Sequence, residues 1–308
     1  MIRFSRITKT YDDLTVIRDL DLEIAEGEFC VLIGASGSGK STILKMINRL
    51  VEHTSGEIRF AGAEIRSFKP EIIRRRMGYA IQSVGLFPHW TIENNIATVP
   101  RLLGWDEARI DQRIADLLRL LDMDASRFRK AYPHQLSGGQ QQRIGVARAL
   151  AADPDVLLMD EPFGALDPIT RDGLQTEIRR IHGETGKTIV FVTHDMDEAL
   201  KLATRIVVLD KGGIVQAATP RELLNAPANA FVREFLGKDD YGLKLLLVEL
   251  VSDHMRQGEI SSGCETISAG DNLRNALSTL LALKGDRLSV IDRTGQPIGT
   301  LHLPDIVS

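Results

Sequence analysis

The chain has little cysteine, few aromatic residues, no long apolar run and no large excess of charge of either sign. Its two cysteines are Cys30, inside the apolar run Phe29-Cys30-Val31-Leu32-Ile33, and Cys264, in a polar stretch. That usage excludes a disulfide framework or a cysteine metal cluster and points to a reducing cytoplasm. The densest apolar patch, Leu243 to Val251, is interrupted by Lys244 and Glu249. Nothing approaches the ~18 apolar residues of a membrane span, so work at a membrane goes through partners. Met1 to Tyr11 lacks the apolar core of a secretory signal. The net charge of −4 argues against broad nucleic-acid binding, and Arg74-Arg75-Arg76 reads as a short solvated face. A length of 308 residues, 43% hydrophobic and 26% charged, suits one large globular domain plus a small one.

What the chain does carry is two glycine-bearing helix starts. Phe29 to Ile33 has the continuous apolar character of a buried parallel strand. It runs directly into Gly34-Ala35-Ser36-Gly37-Ser38-Gly39-Lys40-Ser41 and a helix expected over Thr42 to Leu50. Strand, glycine-rich loop and helix in this order make the Walker A phosphate cradle. Its glycines let backbone N–H groups curl around phosphates, Lys40 sets a positive charge at the β/γ-phosphates, and the Ser41 hydroxyl suits Mg²⁺. The second start is Leu136-Ser137-Gly138-Gly139-Gln140, where Ser137 is a good N-cap. Gln140 to Ala152 follows as helix, with Ile144, Ala147, Leu150 and Ala151 roughly on one face. Exposed N–H groups backed by the helix dipole form a second phosphate surface. A single nucleotide has no need of both.

Other strands end in reactive groups. Val156 to Met159 ends in Asp160-Glu161, one carboxylate to hold Mg²⁺ through its water shell and one to polarise an attacking water. Gly78 to Ile81 ends at Gln82, and Thr188 to Thr193 ends at His194. Half-exposed strands are expected over Ile2 to Ile7 and Leu20 to Ile24, a helix over Asp106 to Asp122, and a closing hairpin around Lys211-Gly212-Gly213.

In this order the motifs resemble those of the ATP-binding cassette (ABC) ATPases, over roughly the first 240 residues. The resemblance implies an α/β P-loop NTPase core over residues 1–238, with an inserted helical subdomain at about 90–154. It implies that Tyr11 and Val16 meet the adenine, and that Gly34, Ser36, Gly37, Ser38, Gly39, Lys40, Ser41 and Thr42 hold the phosphates. Ser41, Gln82 and Asp160 would hold Mg²⁺, while Glu161, His194, Gln82 and Lys40 would carry hydrolysis. Ser137, Gly138, Gly139 and Gln140 would cap the ATP held by the other subunit of a homodimer, and Asp167 would communicate between the two sites. The apolar stretch Leu86-Phe87-Pro88-His89-Trp90-Thr91-Ile92 resembles the groove that receives a short helix of a membrane subunit. Tyr132-Pro133 resembles importers. With Ile81 to His89 and Asp167 to Asp172, the chain resembles the ATPases of osmoprotectant uptake, whose solutes are quaternary amines such as glycine betaine, choline or carnitine. The expected partners are integral membrane permease subunits and a solute-binding protein, at the cytoplasmic face of the membrane and without nucleic acid. The alternatives are the same role for an amino acid or polyamine, or a soluble ABC ATPase with a nucleotide-sensing tail.

Gly237-Lys238-Asp239-Asp240 reads as a domain boundary. Beyond it, residues 241–308 are expected to carry a helix over Leu243 to Met255, another from Asp271-Asn272-Leu273, and strands Arg287 to Asp292 and Pro297 to Leu301. This small α+β tail resembles a single, shortened CBS (cystathionine-β-synthase-type) module, which implies either an adenine-nucleotide regulator with Asp305 facing a ribose or a dimer-packing or vestigial role. The family's usual Ser/Thr is His302 here.

Overall fold

The computed structural model describes residues 1–81, 85–164, 166–237, 240–261 and 263–306. By its internal contacts the chain divides into two units, residues 1–198 with 202–217, and residues 199–201 with 218–308.

The first unit opens with an antiparallel pair, β1 (Ile2–Tyr11) and β2 (Leu14–Ile24), longer than the alternation predicts. Register shifts between Phe4 and Ile7 and again before Lys9 explain the difference, because each bulge changes which side chains face the core. β3 (Phe29–Gly34) is buried along its length and feeds α1 (Lys40–Ile47). β4 (Ser55–Phe60) and β5 (Ala63–Glu64) complete a first sheet in the order β2-β1-β4-β5. After α2 (Pro70–Arg75) and β6 (Met77–Ile81) the chain turns helical through α3 (Ile92–Leu102), α4 (Glu107–Leu120), α5 (Ala125–Phe128) and α6 (Gly138–Leu150). Thr91, Asp106, Asp124 and Ser137 cap these four helices with their side chains.

The chain then returns to the sheet as β7 (Val156–Asp160), followed by α7 (Pro168–Thr185), β8 (Thr188–Thr193), α8 (Met196–Leu202), β9 (Arg205–Asp210) and β10 (Gly213–Ala218). The second sheet has the order β10-β9-β3-β8-β7-β6, parallel from β9 to β6. Its central strands β3 and β8 are buried throughout and apolar apart from Thr188, Thr193 and Gly34 at their ends, because both faces are covered. Register places Ile33 beside Thr193, and Asp160 beside both Val192 and Ile81. The loop that leads to Lys40 at the start of α1 and the loops carrying Glu161 and His194 therefore leave the same, C-terminal edge of the sheet, where open α/β sheets bind ligands.

The second unit begins with α9 (Pro220–Asn225), α10 (Ala230–Leu236), α11 (Tyr241–Val248) and α12 (Val251–His254). β11 (Arg256–Gln257), β12 (Thr266–Ser268), α13 (Leu273–Leu283), β13 (Arg287–Ile291), β14 (Pro297–His302) and α14 (Leu303–Ile306) follow. The strands form a sheet in the order β11-β14-β13-β12, over a core that includes Val251, Leu280, Leu288 and Leu301. The helix expected over Leu243 to Met255 is two helices. Backbone bonds from Val251 N–H to Asp271 O and from Leu273 N–H to Glu249 O draw the chain out of helix at Glu249-Leu250. Lys244, the charge inside the apolar patch, is buried with its ammonium on Leu236 O at 2.7 Å and Asp240 at 2.9 Å. The contact division falls between Ala217 and Ala218, earlier than the expected boundary at residues 237–240. The Tyr241 hydroxyl donates to Leu224 O at 2.7 Å, and Arg221 pairs with Glu249 at 3.2 Å, which keeps α9 with the tail.

Candidate nucleotide site

A cavity of about 370 Å³ opens at the C-terminal edge of the second sheet. Ser36, Gly37, Gly39, Lys40, Ser41 and Thr42 form one wall, and Val16, Glu161 and His194 the rest. Lys40 is buried, its ammonium donating to Gly34 O at 2.8 Å and Ala35 O at 2.9 Å. Burial draws its pKa below the ordinary lysine value, and the carboxylates of Glu161 and Asp160 oppose that shift. The Ser41 hydroxyl donates to Asp160 Oδ1 at 2.9 Å, so the ends of the two phosphate-site motifs are joined directly. Gly39 caps α1 at φ 102° with no side-chain hydrogen bond, which leaves the N–H groups of the first turn for a ligand. A Cβ on Gly39 would lie 2.2 Å from Ile17 Cδ1, and one on Gly34 2.1 Å from Leu209 O. Ser38 is buried, and its Oγ has no hydrogen-bond partner among the described residues.

Glu161 sits at φ 46°, left-handed backbone that a side chain other than glycine's rarely adopts. Its N–H donates to Val192 O at 3.0 Å, which ties the strained residue to the neighbouring strand. The Glu161 carboxylate lies 3.3 Å from His194 Nδ1, and the His194 side chain is largely exposed. Behind His194 lies Glu198, a carboxylate only 6% exposed. It accepts the Thr193 hydroxyl at 2.6 Å and the Gln175 amide at 3.3 Å. Burial pushes its pKa up, against the Thr193 hydrogen bond. Neither Gln175 nor Glu198 was expected from sequence. The available signal was a polar side chain on a core-facing helical position.

The second glycine-bearing start lies elsewhere and is built differently. Ser137 Oγ accepts the Gln140 N–H at 3.3 Å while Gln140 Oε1 accepts the Ser137 N–H at 3.0 Å, a reciprocal capping box. Ser137, Gly138 and Gln140 do not line the cavity. A Cβ on Gly138 would meet open space, whereas one on Gly139 would lie 2.1 Å from Thr170 Cγ2. Gly139 is thus small because α7 packs on it. The buried Gln142 in the same helix donates to Pro162 O, next to Glu161, a contact that the sequence reading missed.

Asp167 caps α7, accepting the Thr170 N–H at 3.1 Å, and Thr170 holds its carboxyl below the ordinary range. Tyr11 is exposed at the end of β1, with the Lys9 ammonium 4.3 Å from its ring centre, and does not line the cavity. Gln82 lies outside the described residues. The stretch Leu86 to Ile92 is organised by Asn95 of α3, which is fully buried. Its side chain takes the Phe87 N–H at 2.8 Å and donates to Phe87 O, Trp90 O and Thr91 O. A cavity of about 400 Å³ beside this loop is lined by Arg74, Arg75, Tyr79, Phe87 and Val99, among others. In the second unit Asp305 accepts two hydrogen bonds from Arg256, each 3.1 Å, and His302 lies 2.7 Å from Glu259.

A family model described as ABC transporter matches residues 17–164. The chain is 57% identical over 307 residues to the glycine betaine uptake system ATP-binding protein YehX of Escherichia coli, covering 100% of this chain and 99% of that protein. It is 49% identical over 294 residues to the glycine betaine/carnitine/choline transport ATP-binding protein OpuCA of Bacillus subtilis, covering 95% and 76% respectively. Among solved structures, the dimeric form of the bacterial ABC transporter cassette MJ0796 matches with TM-score 0.64 and 33% identity, over 71% of this chain and 98% of that one. A post-hydrolysis dimer of the same cassette with ADP and Pi matches with TM-score 0.64 and 32% identity.

Proposed function

The chain belongs to the ABC transporter family, and from that premise we propose that it is the ATP-hydrolysing subunit of an importer for quaternary-amine osmoprotectants. The observation that carries the enzymatic part is the convergence of Lys40, the Ser41–Asp160 hydrogen bond and the Glu161–His194 pair on one cavity. The solute class rests on the full-length likeness to YehX and the likeness to OpuCA.

ATP would lie along the loop, its phosphates on the uncapped start of α1 and its charge met by Lys40. Ser41 and Asp160 offer a hydroxyl and a carboxylate at 2.9 Å, hard oxygen donors few enough to suit Mg²⁺, which keeps several waters. Bound there, Mg²⁺ would neutralise charge on the β- and γ-phosphates. A water attacks the γ-phosphorus and the bond to the β-phosphate oxygen breaks, leaving ADP and inorganic phosphate. Glu161 orients that water and takes its proton, and His194 steadies the transferred phosphoryl from the same wall. The strained Glu161 backbone holds the carboxylate in the cavity rather than along the strand.

We assign Ser137 and Gly138 to the nucleotide of a second copy in a homodimer. They lie off this chain's own cavity, and the solved MJ0796 cassette is dimeric. The groove beside Phe87 would receive a short helix of a permease subunit, and a solute-binding protein would deliver the amine. No helix among the described residues is long and apolar enough to cross a membrane, in keeping with a peripheral subunit. An adenine-nucleotide regulator on the tail has less support, because Asp305 is held by Arg256.

The test is ATP-dependent uptake of labelled glycine betaine and choline by proteoliposomes. They would hold the membrane complex that co-purifies with this chain and its solute-binding protein, with Glu161→Gln as control. Uptake that is lost in the control supports the reading. Hydrolysis without uptake of either amine discards the solute class, and full turnover in Glu161→Gln discards the role of Glu161.

A further inference from the structure

The nucleotide reading leaves unused a buried polar cluster directly behind His194. Thr193 Oγ1 accepts the Asp195 N–H at 3.0 Å, so one hydroxyl closes the turn that holds His194 between them. The same hydroxyl donates to the buried Glu198 at 2.6 Å. Across from Glu198 stands Arg171, in the first turn of α7. Its Nη2 donates to Leu166 O at 3.3 Å, just before the Asp167 cap, and its Nη1 lies 3.8 Å from Asp195 Oδ2. Arg171 Nε is buried with no hydrogen-bond partner among the described residues and stands 4.0 Å from Glu198 Oε1. One residue earlier, the Thr170 methyl fills the space over Gly139 at the start of α6.

We propose that Arg171 and Glu198 are positioning residues that join the start of α7, and through Thr170 the Ser137–Gln140 turn, to the turn that holds His194. Engagement of one subunit's Ser137 and Gly138 by its partner's nucleotide then sets the hydrolytic geometry over its own. The inference rests on the assignments of His194, Ser137 and Gly138 made above. Its physical basis is the Arg171–Glu198 gap. At 4.0 Å the Nε–H and the carboxylate are outside hydrogen-bond distance. A displacement of α7 by about 1 Å makes the charge-assisted bond, whose length is roughly 2.8 Å. The open arrangement seen here and a bonded one would differ by that small shift, and two such arrangements are what coupling between sites requires. The Nε atom and the Glu198 carboxylate are buried although the rest of the Arg171 side chain is a third exposed, so this one bond forms away from water.

The test uses the complete transporter complex and measures kcat and KM for ATP together with the melting temperature. Arg171→Lys keeps the charge but loses the fork that reaches Leu166 O, and Glu198→Gln keeps the shape but loses the charge. Each is expected to lower kcat about tenfold, within the 5- to 150-fold range of site-to-site coupling, with KM little changed and no fall in melting temperature. The double variant is expected to be no slower than the slower single. Thr193→Ser, which keeps the hydroxyl, should retain turnover, whereas Thr193→Val should fall as Glu198→Gln does. Losses that multiply in the double variant, or that follow KM or the melting temperature, overturn the proposal. Glu161→Gln separates the two levels. If it still turns over, the site reading itself fails; if it is dead while the double variant is multiplicative, only the coupling fails.

Discussion

Two helix starts in the first unit carry the same residue types and solve opposite problems. At α1 the cap is Gly39, no side chain closes the first turn, and Lys40 is buried beneath it. At α6 the cap is Ser137, and Ser137 and Gln140 satisfy each other's backbone N–H groups. An uncapped start with a buried cation leaves orphan donors that a phosphate satisfies. A reciprocally capped start is stable without a ligand and offers only its exposed edge. The difference teaches which one is a binding site within a single chain and which becomes one only when a partner's nucleotide arrives.

The largest test of that contrast is Lys40→Ala. It removes the cation that the first start is built around and leaves Gly34 O and Ala35 O without its hydrogen bonds. ATP affinity is expected to fall roughly 100-fold, as for loss of charge-assisted bonds, measured by nucleotide titration of the purified chain. Ser137→Ala is the counterpart. It should leave that affinity unchanged, lower turnover of the assembled complex about tenfold, and cost about 1 kcal/mol of stability as a lost N-cap. If Ser137→Ala weakened ATP binding by the monomer, the division between the two starts would collapse.

A finer test lies within the second start. Gly138→Ala meets open space, so the better helix propensity of alanine should raise stability by up to about 1 kcal/mol while turnover in the complex falls. Gly139→Ala forces a Cβ to 2.1 Å from Thr170 Cγ2 and should lower stability by about 1–3 kcal/mol. Thr170→Ser, which removes that methyl, should recover most of the loss. Equal melting temperatures for the two glycine variants would show that α7 does not press on the turn.

The order of motifs made the cavity legible, because Asp160, Glu161 and His194 sit at or just past strand ends, Lys40 and Ser41 open the helix after one, and parallel pairing brings such ends to one edge. The helix starts were legible for the same local reason: Ser137 caps by sequence distance alone. Tertiary choices were not. The long first hairpin was hidden by bulges that break the period of two, and the break at Glu249-Leu250 is made by bonds to Asp271 and Leu273, which no local pattern announces. Asn95, Gln142, Gln175 and Glu198 escaped notice because each is a polar side chain whose partner lies on another segment or a separate turn. For Gly139 the sequence pattern announces a ligand position but not the threonine methyl that the structure sets beside it.

The smallest expected effect concerns the link between the second start and His194. Burial raises the Glu198 pKa above its usual 4.5, with the Asp195 charge adding to it and Thr193, Arg171 and Gln175 opposing. A raised folded-state pKa means the native chain holds that proton more tightly than the unfolded one. The resulting stability is complete below the ordinary carboxylate range and is lost as pH rises through the folded value, above which a charged group stays buried at a cost. Glu198→Gln has no proton to lose. Its melting temperature relative to the unaltered chain should therefore climb as pH is raised from about 4 toward 8, even though its turnover is lower. Melting curves across that window decide it: a difference independent of pH would mean that Glu198 is ionised with its ordinary pKa, and that Arg171 already compensates its charge without any displacement of α7.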